Sequence, residues 1–340
     1  KRTEDNSKSS SVNNDEIIEY NISGKAIPLA AEFAEFDKYA SETPPEAETS
    51  MEALAGYLSE HASGELEKAR LIFTWVATHV WYDDNGYNTG NYAGTSPAEV
   101  FRNRVSVCQG YSELFAALCN MAGIEAVTVT GYSKGVSYRP GSAFSETNHA
   151  WNAANIDGQW MLFDPTWASG YGRGVNGRLV TVHEFNDYWF NVNPNEAIFS
   201  HLPEEERWQL NNPKITKYQF ERLPYVSSQY FKLGFSGDQC FPAVLDGSVQ
   251  SLPEAYSVSG DIKVLSFPCS GRIPSGQTIR LRVAAGEGIT PAWENGGRIT
   301  DMTRDGDEYT AVVTTVPGQL RLMMTYGGGS YETALLYHVR

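Results

Sequence analysis

Residues 148–165 read Asn-His-Ala-Trp-Asn-Ala-Ala-Asn-Ile-Asp-Gly-Gln-Trp-Met-Leu-Phe-Asp-Pro. Asp157-Gly158 is the dipeptide that a two-residue type I′ turn demands, because both central residues take positive φ. The flanking runs therefore pair as a β-hairpin, His149–Ile156 against 159–166, with Ile156 opposite Gln159. That register sets Trp151 opposite Asp164 and His149 opposite Thr166. Asp164 is then the diagonal neighbour of His149, ~7–8 Å away between backbones. A carboxylate and an imidazole can hydrogen-bond across that gap, which orients the ring and stabilises its protonated form.

Upstream, Ser106-Val107-Cys108-Gln109-Gly110-Tyr111-Ser112 opens a helix over 108–122 that stops at Gly123. A cysteine at a helix N-terminus meets unpaired N–H groups and the positive end of the dipole, which lower the thiol pKa. The same N–H groups can hold a developing oxyanion. Gly110 would leave room for a substrate backbone. A β-branched strand over 125–132 follows. Earlier, 65–82 carries the longest apolar stripe of helical period, and 24–39 and 50–59 carry shorter ones, broken by Pro44-Pro45. Residues 83–94 read as a polar loop. Ser96-Pro97-Ala98-Glu99 resembles a capping box that opens a short helix.

Downstream of Pro165 the chain reads as irregular, with Gly170, Gly172, Gly174 and Gly177 close together. A short helix is expected over 183–190. From Lys214 helical periodicity gives way to short alternating runs at 262–267, 278–283, 309–316 and 320–326. That spacing points to an immunoglobulin-like β-sandwich over 214–340. Gly327-Gly328-Gly329 reads as a hairpin turn, since no helix follows it. Trp293 and the tyrosine-rich end could bind carbohydrate or protein, or simply pack a core.

Cys108, His149 and Asp164 together could form a nucleophilic triad if the helix start packs against the hairpin face. Each has a plainer role open to it: a small core thiol, a structural histidine, a turn-forming aspartate. Zinc ligation is a rival use of the same three residues, but no second Cys or His stands at ligand spacing beside any of them. No metal or cofactor is expected, and there is no acidic loop of EF-hand type. Cys119 should be buried and inert. Cys240 and Cys269 could pair in an oxidising compartment, or be two buried thiols.

The chain has 340 residues with 41 acidic and 26 basic side chains, a net charge of −15. Such a balance argues against a nucleic-acid partner, whose phosphates need Lys and Arg. No apolar run reaches the ~18 residues of a membrane span. Residues 1–60 hold 13 acidic and 5 basic side chains, so the acidity is concentrated at the front. Residues 1–20 read as a flexible acidic tail, of the kind that follows a removed signal or a lipid anchor upstream of residue 1. Export to a periplasm or cell surface is the corresponding expectation. The expected organisation is a tail over 1–20, a core with N-terminal helices over 21–213 and the sandwich.

Three blocks in this order, Cys-Gln-Gly-Tyr-Ser at 108–112, Asn-His-Ala-Trp-Asn at 148–152 and Trp-Met-Leu-Phe-Asp-Pro-Thr-Trp at 160–167, resemble the transglutaminase-like superfamily. Ile72-Phe73-Thr74-Trp75-Val76 and Val80-Trp81-Tyr82-Asp83 resemble the entry helix of the same family. Tyr188-Trp189-Phe190, Ser200-His201-Leu202-Pro203 and Arg207-Trp208-Gln209-Leu210 are similar to its kyphoscoliosis-peptidase branch. The resemblance covers about residues 65–235. It implies an α+β, papain-like core with Cys108 as nucleophile, His149 as general base and Asp164 as its orienter. It also implies an oxyanion donor from Trp81 or Tyr82 beside the Cys108 N–H, with Gln109 and Trp151 lining the cleft. The implied activities are cysteine peptidase, amidase or amine-transferring cross-linker on a peptide or protein, cell-wall peptide among them. Some members have lost catalysis and serve as scaffolds, and a chain with an aromatic-rich cleft and a β-sandwich could itself be a catalytically silent binding or adaptor module at a cell surface.

Overall fold

Ala69 through Ala77 of the Glu65–His79 helix are all buried. The computed structural model describes residues 17–20, 22 and 29–340, and this helix is the axis of the larger of its two units. A helix buried on every side must satisfy its polar residues internally. Arg70, with no exposed surface, donates from Nε and Nη2 to the two carboxylate oxygens of Asp37 at 2.7 and 2.6 Å. Thr74 donates to the same carboxylate at 2.7 Å. The Arg70 guanidinium also lies over the Phe33, Phe185 and Phe190 rings, 4.9–5.4 Å from their centroids.

The larger unit comprises 29–232 and Ser236–Val249. Its sheet has four antiparallel strands in the order Gln159–Phe163, His149–Ile156, Ala126–Ser133, His201–Pro203. The turn has the expected form, with Asp157 at φ 50° and Gly158 at φ 82°. Pairing runs from Ile156–Gln159 to Asn152–Phe163 and then stops. The expected Trp151–Asp164 and His149–Thr166 pairs do not form. Proline has no N–H for a ladder and a fixed φ, so at Pro165 the chain turns into the short Pro165–Ala168 helix.

The Cys108–Met121 helix packs on this sheet, and Gly123 past its end sits at φ 84°. Asn152 Nδ2 ties helix to strands by donating to Ser112 O and Val127 O, at 2.9 and 3.1 Å. Gly131 is required where the sheet is tightest: a Cβ there would overlap Leu202 O and the Trp151 ring. Gly110 serves packing as well. A Cβ would overlap the Ser106 hydroxyl and a Val100 methyl, so its missing side chain admits the neighbouring chain and not a substrate.

Several local expectations are corrected. Residues expected as a loop contain the Asp84–Thr89 helix, capped by Asp83. The glycine-rich stretch is a hairpin, Gly170–Val175 with Arg178–His183, where alternate glycines left no apolar pattern to read. Asp84 accepts from Thr181 N at 2.8 Å and Asn88 exchanges two hydrogen bonds with Leu179, fastening that hairpin to the helix. His183 ends a strand, and only Asp187–Trp189 is helical, as a 3₁₀ turn. After residue 214 come three short helices, Lys217–Arg222, Ser228–Lys232 and Gly237–Leu245, all in the larger unit.

The smaller unit takes in Leu233–Phe235 and Gln250–Arg340 with the described residues of 17–22. It holds two sheets. One joins Thr278–Ala285 to Ile262–Ser266, Glu308–Thr314 and, in parallel, Ile18–Glu19. The other is ordered Glu254–Ala255, Glu332–Val339, Gly318–Thr325, Thr290–Asn295, Arg298–Asp301. Ile279, Leu281 and Val283 alternate as buried residues on one strand, and Leu320, Leu322, Met323 and Met324 are buried on another. The region is therefore β-rich, and the whole chain mixes α and β. Gly327–Gly329 all take positive φ between two antiparallel strands. Residues 1–16 of the expected tail lie outside the described residues, whereas Ile18 and Glu19 belong to a sheet. Among the described residues no helix is long and apolar enough to cross a membrane.

Replacing Asp37 by Ala strands a buried guanidinium. The cost should be about 3 kcal/mol or more, read as ~100-fold faster amide exchange along Glu65–His79. Exchange within about fivefold of wild type would contradict this account of the central helix.

Candidate active site

Asp164 is the N-cap of the Pro165–Ala168 helix, and its Oδ1 accepts from Trp167 N at 2.9 Å. Its own N–H donates to Trp189 O at 3.0 Å. This leaves Oδ2 aimed at His149, whose Nε2 stands 2.8 Å away. The His149 and Asp164 side chains are 5% and 3% exposed, so the pair is dry. The capping turn thus brings together the two residues that the expected ladder would have left as diagonal neighbours.

A second imidazole reaches the same oxygen. His201 Nε2 lies 3.1 Å from Asp164 Oδ2, and His201 Nδ1 lies 2.8 Å from the Ser200 hydroxyl. The motif Ser200-His201-Leu202-Pro203 was visible in the chain, but nothing in it assigned a role to the histidine. Trp151, Trp167 and Trp189 surround the His201 ring, with centroids 5.1, 4.4 and 5.2 Å from it. Trp151 is 3% exposed. It backs the His–Asp pair, stacked on the His149 ring with centroids 6.0 Å apart.

Cys108 is the first residue of its helix, partly buried, and follows the N-cap Val107. Burial pushes its thiol pKa up, but a hydrogen bond with His149, the charge of that ring and the Ala150 N–H outweigh it, so the net direction is down. His149 moves the other way. Burial lowers it, but the Asp164 charge and hydrogen bond, with those of Cys108, raise it to about 10. Since Nε2 faces Asp164, Nδ1 is the ring nitrogen left for the thiol. The carboxylate, pushed up by burial, is held well below the usual range by His149 and His201. His201 is lowered by burial and by the charge of His149, against the pull of Asp164, and stays neutral. A thiol moved down and an imidazole moved up are the directions expected where the two groups interact.

The other expected site residues are spread around Cys108. Trp81 and Tyr82 pair in parallel with Val105 and Ser106 just before it. Burial raises the Tyr82 pKa, and the nearness of Cys108 adds to this, so the phenol keeps its proton. Trp81 is 49% exposed and stacks on His183 at 4.8 Å. Gln109 donates to Glu113 at 2.8 Å, along the helix surface. Cys119 is fully buried and its pKa is raised by that burial.

Residues 52–165 match the family model of the transglutaminase-like superfamily. The chain carries a transglutaminase-like domain. It is 33% identical over 204 residues to the kyphoscoliosis peptidase of Homo sapiens, covering 60% of this chain and 30% of that protein. It is 30% identical over 231 residues to hillarin of Drosophila melanogaster, covering 63% of this chain and 27% of that protein. The chain thus spans about a third or less of the length of these curated relatives. A solved structure described as a TGase is 24% identical with a TM-score of 0.27, covering 42% of this chain and 34% of its own, too low a score to carry argument. Cys108, His149 and Asp164 all lie inside the matched segment of the transglutaminase-like domain, and His201 lies beyond it.

Two imidazoles and a carboxylate within 4.8 Å of one another are also zinc-binding types. Ligands of a tetrahedral zinc, at bonds of ~2.0–2.1 Å, stand about 3.3 Å apart. Here both Nε2 atoms approach one oxygen at 2.8 and 3.1 Å, which are hydrogen-bond lengths. The trio as placed is hydrogen-bonded.

The pair has a pH signature. A raised His149 pKa contributes stability that is full below its unfolded value of ~6.5 and is lost as pH rises through about 10. In Asp164→Asn the raising charge is gone, so the imidazolium discharges at lower pH and the thiolate loses its cation. Carbamidomethylation of Cys108 by iodoacetamide near pH 8 should slow by ~10-fold or more, with Cys119 unreactive throughout. An Asp164→Asn rate profile that overlays wild type would contradict the assigned pairing.

Proposed function

We propose that the protein is a thiol-dependent acyl-transfer enzyme, a cysteine peptidase or amidase acting on peptide or protein. The observation that carries this reading is the Cys108 thiol at a helix start beside a buried His149–Asp164 pair, with the thiol lowered and the imidazole raised. The Cys108 thiolate attacks an amide carbonyl carbon, a C–S bond forms, and the carbonyl oxygen becomes an oxyanion. We assign the Cys108 N–H at the helix start and a donor from Trp81 or Tyr82 to receive that charge. On collapse the C–N bond breaks and the His149 imidazolium gives its proton to the leaving amine. His149, now neutral, takes a proton from water as the water attacks the thioester. The C–S bond breaks, the acid leaves, and His149 is left protonated beside the thiolate. Asp164 keeps its charge throughout and stabilises each imidazolium.

A lysine amine in place of water would make the same acyl-enzyme a cross-linker, the activity printed in the family's name. The β-rich unit, which we read as an immunoglobulin-like sandwich on its alternating burial, serves docking or stability, since all three reacting residues lie in the larger unit.

Cys108→Ala should lower turnover of a peptide or glutamine-amide substrate by ~10³-fold or more. With a glutamine peptide and a labelled amine present, we expect free acid or cleaved peptide as product. Amide formation in its place would select cross-linking. Equal turnover by Cys108→Ala and wild type would leave only a binding or adaptor role.

A further inference from the structure

We propose that His201 is a positioning residue for the site, acting by donating its Nε2–H to the Asp164 oxygen that also holds His149. This rests on the thiol-dependent reading above and adds a fourth residue to it. The geometry leaves His201 little else to do. Its ring is 4% exposed at the side chain and enclosed by three indoles, so water does not compete for its nitrogens. A carboxylate only accepts, so the Nε2 that faces it at 3.1 Å carries the proton. In the neutral ring Nδ1 must then accept, and the Ser200 hydroxyl, 2.8 Å away, is the donor. One tautomer is therefore imposed from outside the Cys–His–Asp set.

The consequence for Asp164 is geometric. Its Oδ1 is held by Trp167 N and its Oδ2 by His201, one contact on each oxygen, and together these fix the plane of the carboxylate. His149 meets an acceptor already aimed. Removing His201 leaves a buried carboxylate with one donor fewer, which disfavours its ionised form, and leaves His149 as the only group that holds Oδ2. The imidazolium would then be held less well, and the thiolate would need a higher pH to form. His201 is anchored from a separate part of the chain. His201–Pro203 is the edge strand beside Ala126–Ser133, Ser133 pairs with His201, and Lys134 N donates to Ser200 O at 2.9 Å. The titratable groups facing the ensemble are Cys108, Tyr82, His149, Asp164 and His201.

The test is the pH dependence of Cys108 alkylation by iodoacetamide, quantified on the Cys108 peptide, in wild type, His201→Leu, His201→Gln and Ser200→Ala. Gln can place an Nε2–H near the same point, whereas Leu fills space without a donor. We expect the acid limb in His201→Leu to move up by about one pH unit, a ~10-fold slower reaction on that limb. His201→Gln should stay within about twofold of wild type, and Ser200→Ala should shift in the same direction by less. Thermal melts report folding separately. A His201→Leu profile that overlays an activated wild type overturns the proposal. So does a Gln variant as shifted as Leu, since cavity filling would then be the cause. Should the Leu variant not fold, a Ser200→Ala profile identical to wild type overturns it. A wild-type thiol that titrates like free cysteine defeats the acyl-transfer reading instead, and the two failures are thereby told apart.

Discussion

The Asp164 carboxylate accepts three hydrogen bonds in a dry interior: from the Trp167 N–H, from His149 and from His201. An ionised carboxylate without partners in such a place would cost several kcal/mol and would take up a proton instead. Each donor is therefore a condition for the charge. In the proposed mechanism the charge is in turn a condition for an imidazolium at position 149, and the imidazolium for a thiolate at position 108. Helix start, hairpin and edge strand meet at this one group, so a local loss at any of them would be felt at the sulfur.

The scaffold makes the meeting reproducible. The Asp157-Gly158 turn fixes the register that puts His149 at the first position of its strand. The partner strand ends at Phe163, Pro165 begins the helix that Asp164 caps, and the capping bond swings the carboxylate toward the ring. Gly131 lets Trp151 and the Leu202 backbone close over the central strand. Asn152 pins the nucleophile helix to the same sheet. The helix behind these parts is held by one buried ion pair, Arg70–Asp37.

Much of this was legible in the chain, for definite reasons. A two-residue turn leaves a single register, and Gly123 marks where the Cys108 helix stops. What escaped depended on tertiary placement. The route from Asp164 to His149 runs through a helix cap, where pairing arithmetic led to a diagonal across the ladder. His201 lies 37 residues beyond Asp164, and no local pattern links them. Gly110 looked like an opening for substrate because a sequence does not reveal that Val100 and Ser106 fill the space. The short helices between 217 and 245 have too few turns for their periodicity to stand out from the strands that follow.

The resting state proposed for Cys108 and His149, thiolate beside imidazolium, can be read from ¹⁵N NMR of the His149 ring. Imidazolium shifts are expected on both ring nitrogens at neutral pH, persisting toward pH 10 in the wild type. In Cys108→Ala the ring should discharge at lower pH, because one of the groups that raise it is gone. A His149 that titrates near its ordinary value of ~6.5, in wild type and Cys108→Ala alike, would contradict the account.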